Sequence, residues 1–125
     1  MNTPSKHMLR TGWGMSIALM LMMSFSTILK LVQPEIVLKQ FAGFEFGQDL
    51  IVPLAIAELA CLVLYAIPRT SVLGAILVTG YMGGAVATHV RVHDLFINPL
   101  IHGLLAWGGL YFRDERIRAL LPFRR

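Results

Sequence analysis

Five side chains carry chemistry into otherwise apolar surroundings in this sequence: Lys30, Glu58, His89, Arg91 and His102. Glu58 stands in LIVPLAIAELACLVLYAI, ten residues after Gln48. At 1.5 Å per helical residue it lies about 15 Å along a helix, near the centre of a bilayer. A carboxylate there costs several kcal/mol unless it is protonated or paired, so it is a functional-site candidate by default; the alternative is a purely structural hydrogen bond. His89 and Arg91 close the apolar run TGYMGGAVATHVRVHDLF, Lys30 closes an earlier one with Ser26 a turn deeper, and His102 lies inside a later one. A carboxylate and imidazoles can hydrogen-bond the carbonyl groups of a quinone-like molecule and handle its protons, with the two cations setting its potential.

Each residue also has a plainer reading. Lys30 and Arg91 at helix ends can snorkel towards water and complement the helix dipole. Asp94, three residues after Arg91, can form a local ion pair of little energetic weight. His89 and His93 have the i, i+4 spacing of metal ligands, and His102 could complete a haem pair across two helices. No carboxylate-rich motif accompanies them, so no metal site is expected. Cys61 is the only cysteine, which excludes an intrachain disulfide and a self-sufficient dithiol reaction with quinone.

Membrane-length helices must position these groups. Charged residues make up 14% of the chain, against about 25% in a soluble domain. Four apolar stretches, about 13–32, 50–67, 72–90 and 95–112, each approach the roughly 20 residues needed to cross a bilayer. Pro34, Pro68 and Pro122 mark segment ends. Lys6, Arg10 and the small residues Ser24 and Ser26 resemble a cleaved leader, but the apolar run continues to Val32, long enough to span. The expected fold is a single all-α domain, residues 1–125: a four-helix transmembrane bundle with a short amphipathic segment between helices 1 and 2.

The basic residues orient it. Lys6, Arg10, Arg69, Arg113, Arg116, Arg118, Arg124 and Arg125 fall on one side; Lys30, Lys39 and Arg91 fall on the other. This bias places both termini in the cytoplasm, the protein being a multi-pass one of the inner (plasma) membrane. Trp13, Trp107, Tyr111 and Phe112 form an aromatic belt on the cytoplasmic side. Basic charge at segment ends is a topology signal, and a nucleic-acid partner is not expected.

Apolar side chains gain little by meeting each other in lipid, so close backbone approach should hold the helices together. Gly80, Gly84 and Thr88, with Gly83 and Ala87 beside them, predict the third span as the central packing element. The stretch QPEIVLKQFAGFEFG puts Val37, Phe41 and Phe44 on one face, predicting a short helix on the outer membrane surface with Lys39 and Gln40 towards water. The polar groups of all four spans then aim at one outward-facing pocket of Lys30, Glu58, His89, Arg91 and His102.

IVPLAIAELACLVLYAIPRTSVLGAILVTGYMGGAVATHVR and WGGLYFRDERIRALLPFR resemble the DoxX-like family, and the likeness extends over nearly the whole chain. The resemblance implies a four-helix integral membrane protein. The wider family includes subunits associated with membrane redox work, thiosulfate:quinone oxidoreductase among them. It carries over Lys30, Glu58, His89 and Arg91 as the family's polar positions. The sequence departs at Ser26, where many relatives are expected to carry an Asp able to pair with Lys30, and at His93.

The expected function is a redox-associated subunit binding a quinone in the bilayer, its electrons supplied by a redox partner protein. A non-enzymatic scaffold or chaperone, or a homo-oligomer acting as a small transporter, are the alternatives. The topology has a direct test. In a Cys61→Ala background, Thr3→Cys and Gly47→Cys should label from opposite faces with an impermeant thiol reagent; equal labelling from outside would overturn the orientation.

Overall fold

A computed structural model describes residues 5–121; Thr3, Pro122, Arg124 and Arg125, invoked above, lie outside them. Helix α1 spans Lys6–Val32, seven residues earlier than hydropathy predicts. The Ser5 hydroxyl accepts the Met8 N–H at 3.2 Å and satisfies a free amide of the first turn. Lys6 to Arg10 are acceptable helix formers although not uniformly apolar, so an apolar window does not detect them. Helix α2 is Glu35–Gly43. A 3-10 turn at Gln48–Leu50 leads into α3, Ile51–Ala66, and a second at Pro68–Thr70 into α4, Ser71–Arg91. Helices α5, Ile97–Arg113, and α6, Glu115–Leu120, complete the described residues, among which no strand occurs.

Three helical stretches are long and apolar enough to cross a membrane: Lys6–Val32, Gln48–Ala66 and Pro68–Arg91. Helix α5 has 17 residues, a length of about 26 Å. Helices α1 and α4 each pack on both α3 and α5, closing a ring of four. Leu19, Met23, Tyr65, Val78 and Leu110 fill its core. Large apolar side chains point outward from every member, among them Leu21, Ile56, Ile76 and Leu104.

The end of the bundle where α1 begins and α5 finishes is closed by a polar chain around Tyr65, which is fully buried. Its hydroxyl donates to the Ala106 carbonyl at 2.8 Å and lies 3.0 Å from Ser16 Oγ. With the phenol proton committed to the carbonyl, Ser16 donates to Tyr65 and accepts from Arg113 Nε at 3.2 Å. The Arg113 guanidinium covers the Trp13 ring at 4.2 Å. Beyond it, Asp114 caps α6, and hydrogen bonds from Arg116 hold its carboxyl below the usual carboxylate range.

The glycines that bind helices together are not those of the central α4 stripe. Gly80, Gly83 and Gly84 are exposed, and a Cβ added at any of them would meet nothing within 4 Å. Helix α4 is one wall among four. The close approaches lie elsewhere: a Cβ on Gly74 would fall 2.3 Å from the Tyr65 amide, one on Gly12 2.8 Å from the Gly109 carbonyl, and one on Gly109 2.3 Å from Ser16 Oγ. All three surround the Tyr65 chain. Sequence spacing identifies small residues but not the direction they face, because lipid and protein interior are equally apolar.

Among the described residues positive φ falls to Gln33, Glu45 and His93, and to no glycine. At the ends of α2 and α4 the left-handed residue sits in a Schellman motif. Phe46 N–H bonds Phe41 C=O and Glu45 N–H bonds Ala42 C=O; Asp94 and His93 repeat the pattern with His89 and Val90.

Helix α2 forms as the sequence predicts, with Val37, Phe41 and Phe44 buried and Lys39 exposed in an ion pair with Glu35. Its apolar face packs on protein: Val37 and Phe41 cluster with Leu29, Ile51 and Leu54, covering the end of the bundle opposite Tyr65.

Gly74→Val should lower the melting temperature in detergent by on the order of 10 °C, since the Tyr65 backbone must move. Gly84→Val should melt like the parent; a fall equal to that of Gly74→Val would restore the stripe to the interior.

Candidate ligand-binding site

Glu58 lies on the α3 face that also buries Ile51, Ala55, Cys61, Leu62 and Tyr65, and only 1% of it is exposed. Its partners come from α1. The Thr27 hydroxyl donates to Glu58 Oε1 at 2.9 Å and Lys30 Nζ donates to the same oxygen at 3.2 Å. Lys30 also donates to Ser26 Oγ at 2.6 Å. Ser26 thus serves as a neutral partner for the ammonium. An ion pair and two hydroxyl bonds account for one carboxylate oxygen and most of the ammonium, which makes burial of both charges tolerable.

A cavity of about 330 Å³ adjoins this pair at the α2 end of the bundle. Four of the five residues selected from the sequence line it: Lys30, Glu58, His89 and His102. Each imidazole is held by its own helix. His89 Nδ1 lies 2.7 Å from the Ala85 carbonyl oxygen, and His102 Nδ1 lies 2.8 Å from that of Asn98. His89 forms no direct hydrogen bond to Glu58 among the described residues; the two share a space rather than a contact.

Arg91 lies outside the lining. Its guanidinium donates to the Phe44 carbonyl and stacks on the Phe46 ring at 5.3 Å, while the His89 ring meets the Phe44 ring edge-on at 4.9 Å. The C-terminal end of α4 therefore clips the end of α2 in place, and α2 with its C-cap Phe44 contributes Val37, Gln40, Phe41 and Phe44 to the cavity wall. Asp94 does not pair with Arg91; its carboxylate accepts the Leu95 N–H at 2.8 Å. His93, in the left-handed position after α4, has left the helical register that a metal pair with His89 requires. Among the described residues no three His, Cys, Asp or Glu side chains are grouped to hold a metal.

Thr27, Gln40, Tyr81 and Asn98 belong to the site or its support and were not selected from the sequence. One signal for Thr27 existed. Gly12, Ser16, Leu19, Met23 and Thr27 recur at helical spacing and form the buried face of α1, and on such a face a hydroxyl needs a partner. The helical pattern places Gln40 towards water; it is exposed yet borders the cavity.

Described residues that are all helix and turn, three helices of membrane length and a mostly apolar cavity beneath a covering helix define a small membrane protein. The model of the DoxX-like family matches residues 14–109, a stretch that includes every cavity-lining residue, and the chain belongs to that family. Searches of the curated proteins and of the solved structures found no match.

The ion pair can be weighed directly. Lys30→Met strands a buried carboxylate and should cost about 3 kcal/mol of stability. The double variant Lys30→Met/Glu58→Gln should recover at least half of that loss in a thermal melt. Additive losses would mean that the two side chains are not coupled.

Proposed function

We propose that this chain is a four-span protein of the inner (plasma) membrane with both termini cytoplasmic. In this reading it is a redox-associated subunit that holds a quinone-like molecule in the cavity beneath α2. Helix α5 supplies the fourth span: it lies along α1 and α4 and carries exposed Ile97, Leu100, Ile101 and Leu104. The observation that carries the ligand reading is the composition of the cavity wall. The buried Lys30–Glu58 pair and the imidazoles of His89 and His102 look into one space whose wall also holds Gln40, Tyr81 and Asn98 and is otherwise mostly apolar, with Met22, Leu29, Phe41 and Met82 among its residues. A mostly apolar pocket with a few convergent polar groups suits a lipophilic ring bearing oxygen atoms, and about 330 Å³ matches a ring rather than a long tail. Electrons would reach such a ring from a partner protein, because Cys61 is alone and buried.

A second reading, a scaffold or homo-oligomer, is favoured by the outward face of α4. Gly80, Gly83 and Gly84 present backbone with nothing packed on it, the surface on which another helix could approach closely in lipid.

Binding is best followed by calorimetry, since Trp13 and Trp107 are not in the cavity wall. A short-chain quinone, offered oxidised and reduced to purified protein in nanodiscs, should bind saturably at one site. Glu58→Gln should weaken that binding at least tenfold while the protein stays folded. Absence of binding in both redox states would overturn the ligand reading.

A further inference from the structure

The tautomers of the two histidines bear on what the cavity takes. A carbonyl oxygen can only accept a hydrogen bond, so His102 Nδ1, 2.8 Å from Asn98 O, carries the ring proton. In the neutral ring this leaves Nε2 as an acceptor. His102 is 6% exposed, and its Nε2 has no protein partner among the described residues. Yet among those residues no buried side-chain nitrogen or oxygen lacks a partner. Nε2 is therefore open, and in a residue otherwise enclosed the opening is the cavity it lines. Glu58 repeats the pattern. Thr27 and Lys30 both donate to Oε1, which leaves Oε2 unpartnered and unsealed in a residue that is 1% exposed. His89 is locked into the same tautomer on the cavity wall by the Ala85 carbonyl.

The space thus receives fixed lone pairs. It receives no net charge from the carboxylate, because Lys30 neutralises Glu58 at 3.2 Å. Fixed acceptors in an apolar pocket do not suit an anion, and among the described residues no three His, Cys, Asp or Glu side chains are grouped to hold a metal; they suit a neutral molecule that donates hydrogen bonds. Gln40, Tyr81 and Asn98 can each donate or accept, and Lys30, which only donates, has given two of its three N–H groups to Ser26 and Glu58, so the two fixed acceptors outnumber the one N–H left and decide the preference.

We propose that the cavity selects the hydroxyl-bearing form of its ligand. This is a neutral lipophilic phenol or hydroquinone that donates to Glu58 Oε2 and His102 Nε2, taken in preference to the matching quinone, whose oxygens only accept. The proposal rests on the ligand reading above and specifies its chemical class. A quinone would set its carbonyl lone pairs against those of Glu58 and His102 and leave both buried acceptors without a donor, which is the costly arrangement.

The test compares two molecules of one shape, duroquinone and durohydroquinone, by anaerobic calorimetry on the full chain in nanodiscs. The hydroquinone should bind at least tenfold more tightly. His102→Phe, which removes one fixed acceptor, should cut that ratio to threefold or less. Equal affinities, or tighter quinone binding, would overturn the proposal while leaving the ligand reading intact. Failure of both molecules to bind would overturn both. If His102→Phe does not fold, the ratio measured on the parent still decides.

Discussion

The pairing of Glu58 with Lys30 sets the terms on which the rest of the bundle is built. A carboxylate 1% exposed among apolar side chains is tolerable only with its charge answered, and the answer comes from the last turn of α1. The ammonium on α1 and the carboxylate on α3 fix how far one helix slides along the other. Thr27 fixes the rotation, because its hydroxyl must meet the same oxygen. Water supplies no hydrophobic force between helices within a membrane. Directional contacts of this kind therefore choose one arrangement among many that would bury apolar surface equally well.

The two ends of the bundle solve different problems. Around Tyr65 the glycines at 12, 74 and 109 let backbone meet backbone, and a chain of hydroxyls ends in the Arg113 guanidinium. That end is shut. Towards α2 no glycine makes a close approach between bundle helices, and there the helices leave room for the cavity. Helix α2 covers the opening with an apolar face predicted from its spacing, and Arg91 holds the cover by the Phe44 carbonyl. Closure at one end and room at the other follow from where the glycines and the polar partners fall.

Helix positions and the polar candidates were legible in the sequence because both rest on contrast. Apolar runs stand out by length, and Glu58 stands out because a charge in such a run demands a reason. Four of the five candidates share the cavity for the same cause: polar groups at one depth have only each other to meet. What stayed hidden is which way each helix faces. A helix in water shows its interior by alternating with polar residues, but α4 is apolar or small towards both lipid and protein. Its glycine stripe reads the same whether it faces in or out. Arg91 was misplaced for a related reason: composition gives the depth of a long side chain and not its direction along the helix end.

The four walls differ in length. Helix α1, with 27 residues, is about 40 Å long, whereas α5, with 17, measures about 26 Å. A typical hydrocarbon layer is about 30 Å thick. Seated in such a layer, the short wall would draw the surrounding lipid thinner on its side, and α1 would tilt or carry its first turns into the headgroups. Lys6 to Arg10 are the residues in those turns, and their charges suit that setting. The cavity sits between walls of unequal height, so a thicker bilayer would load the short side against a longer neighbour.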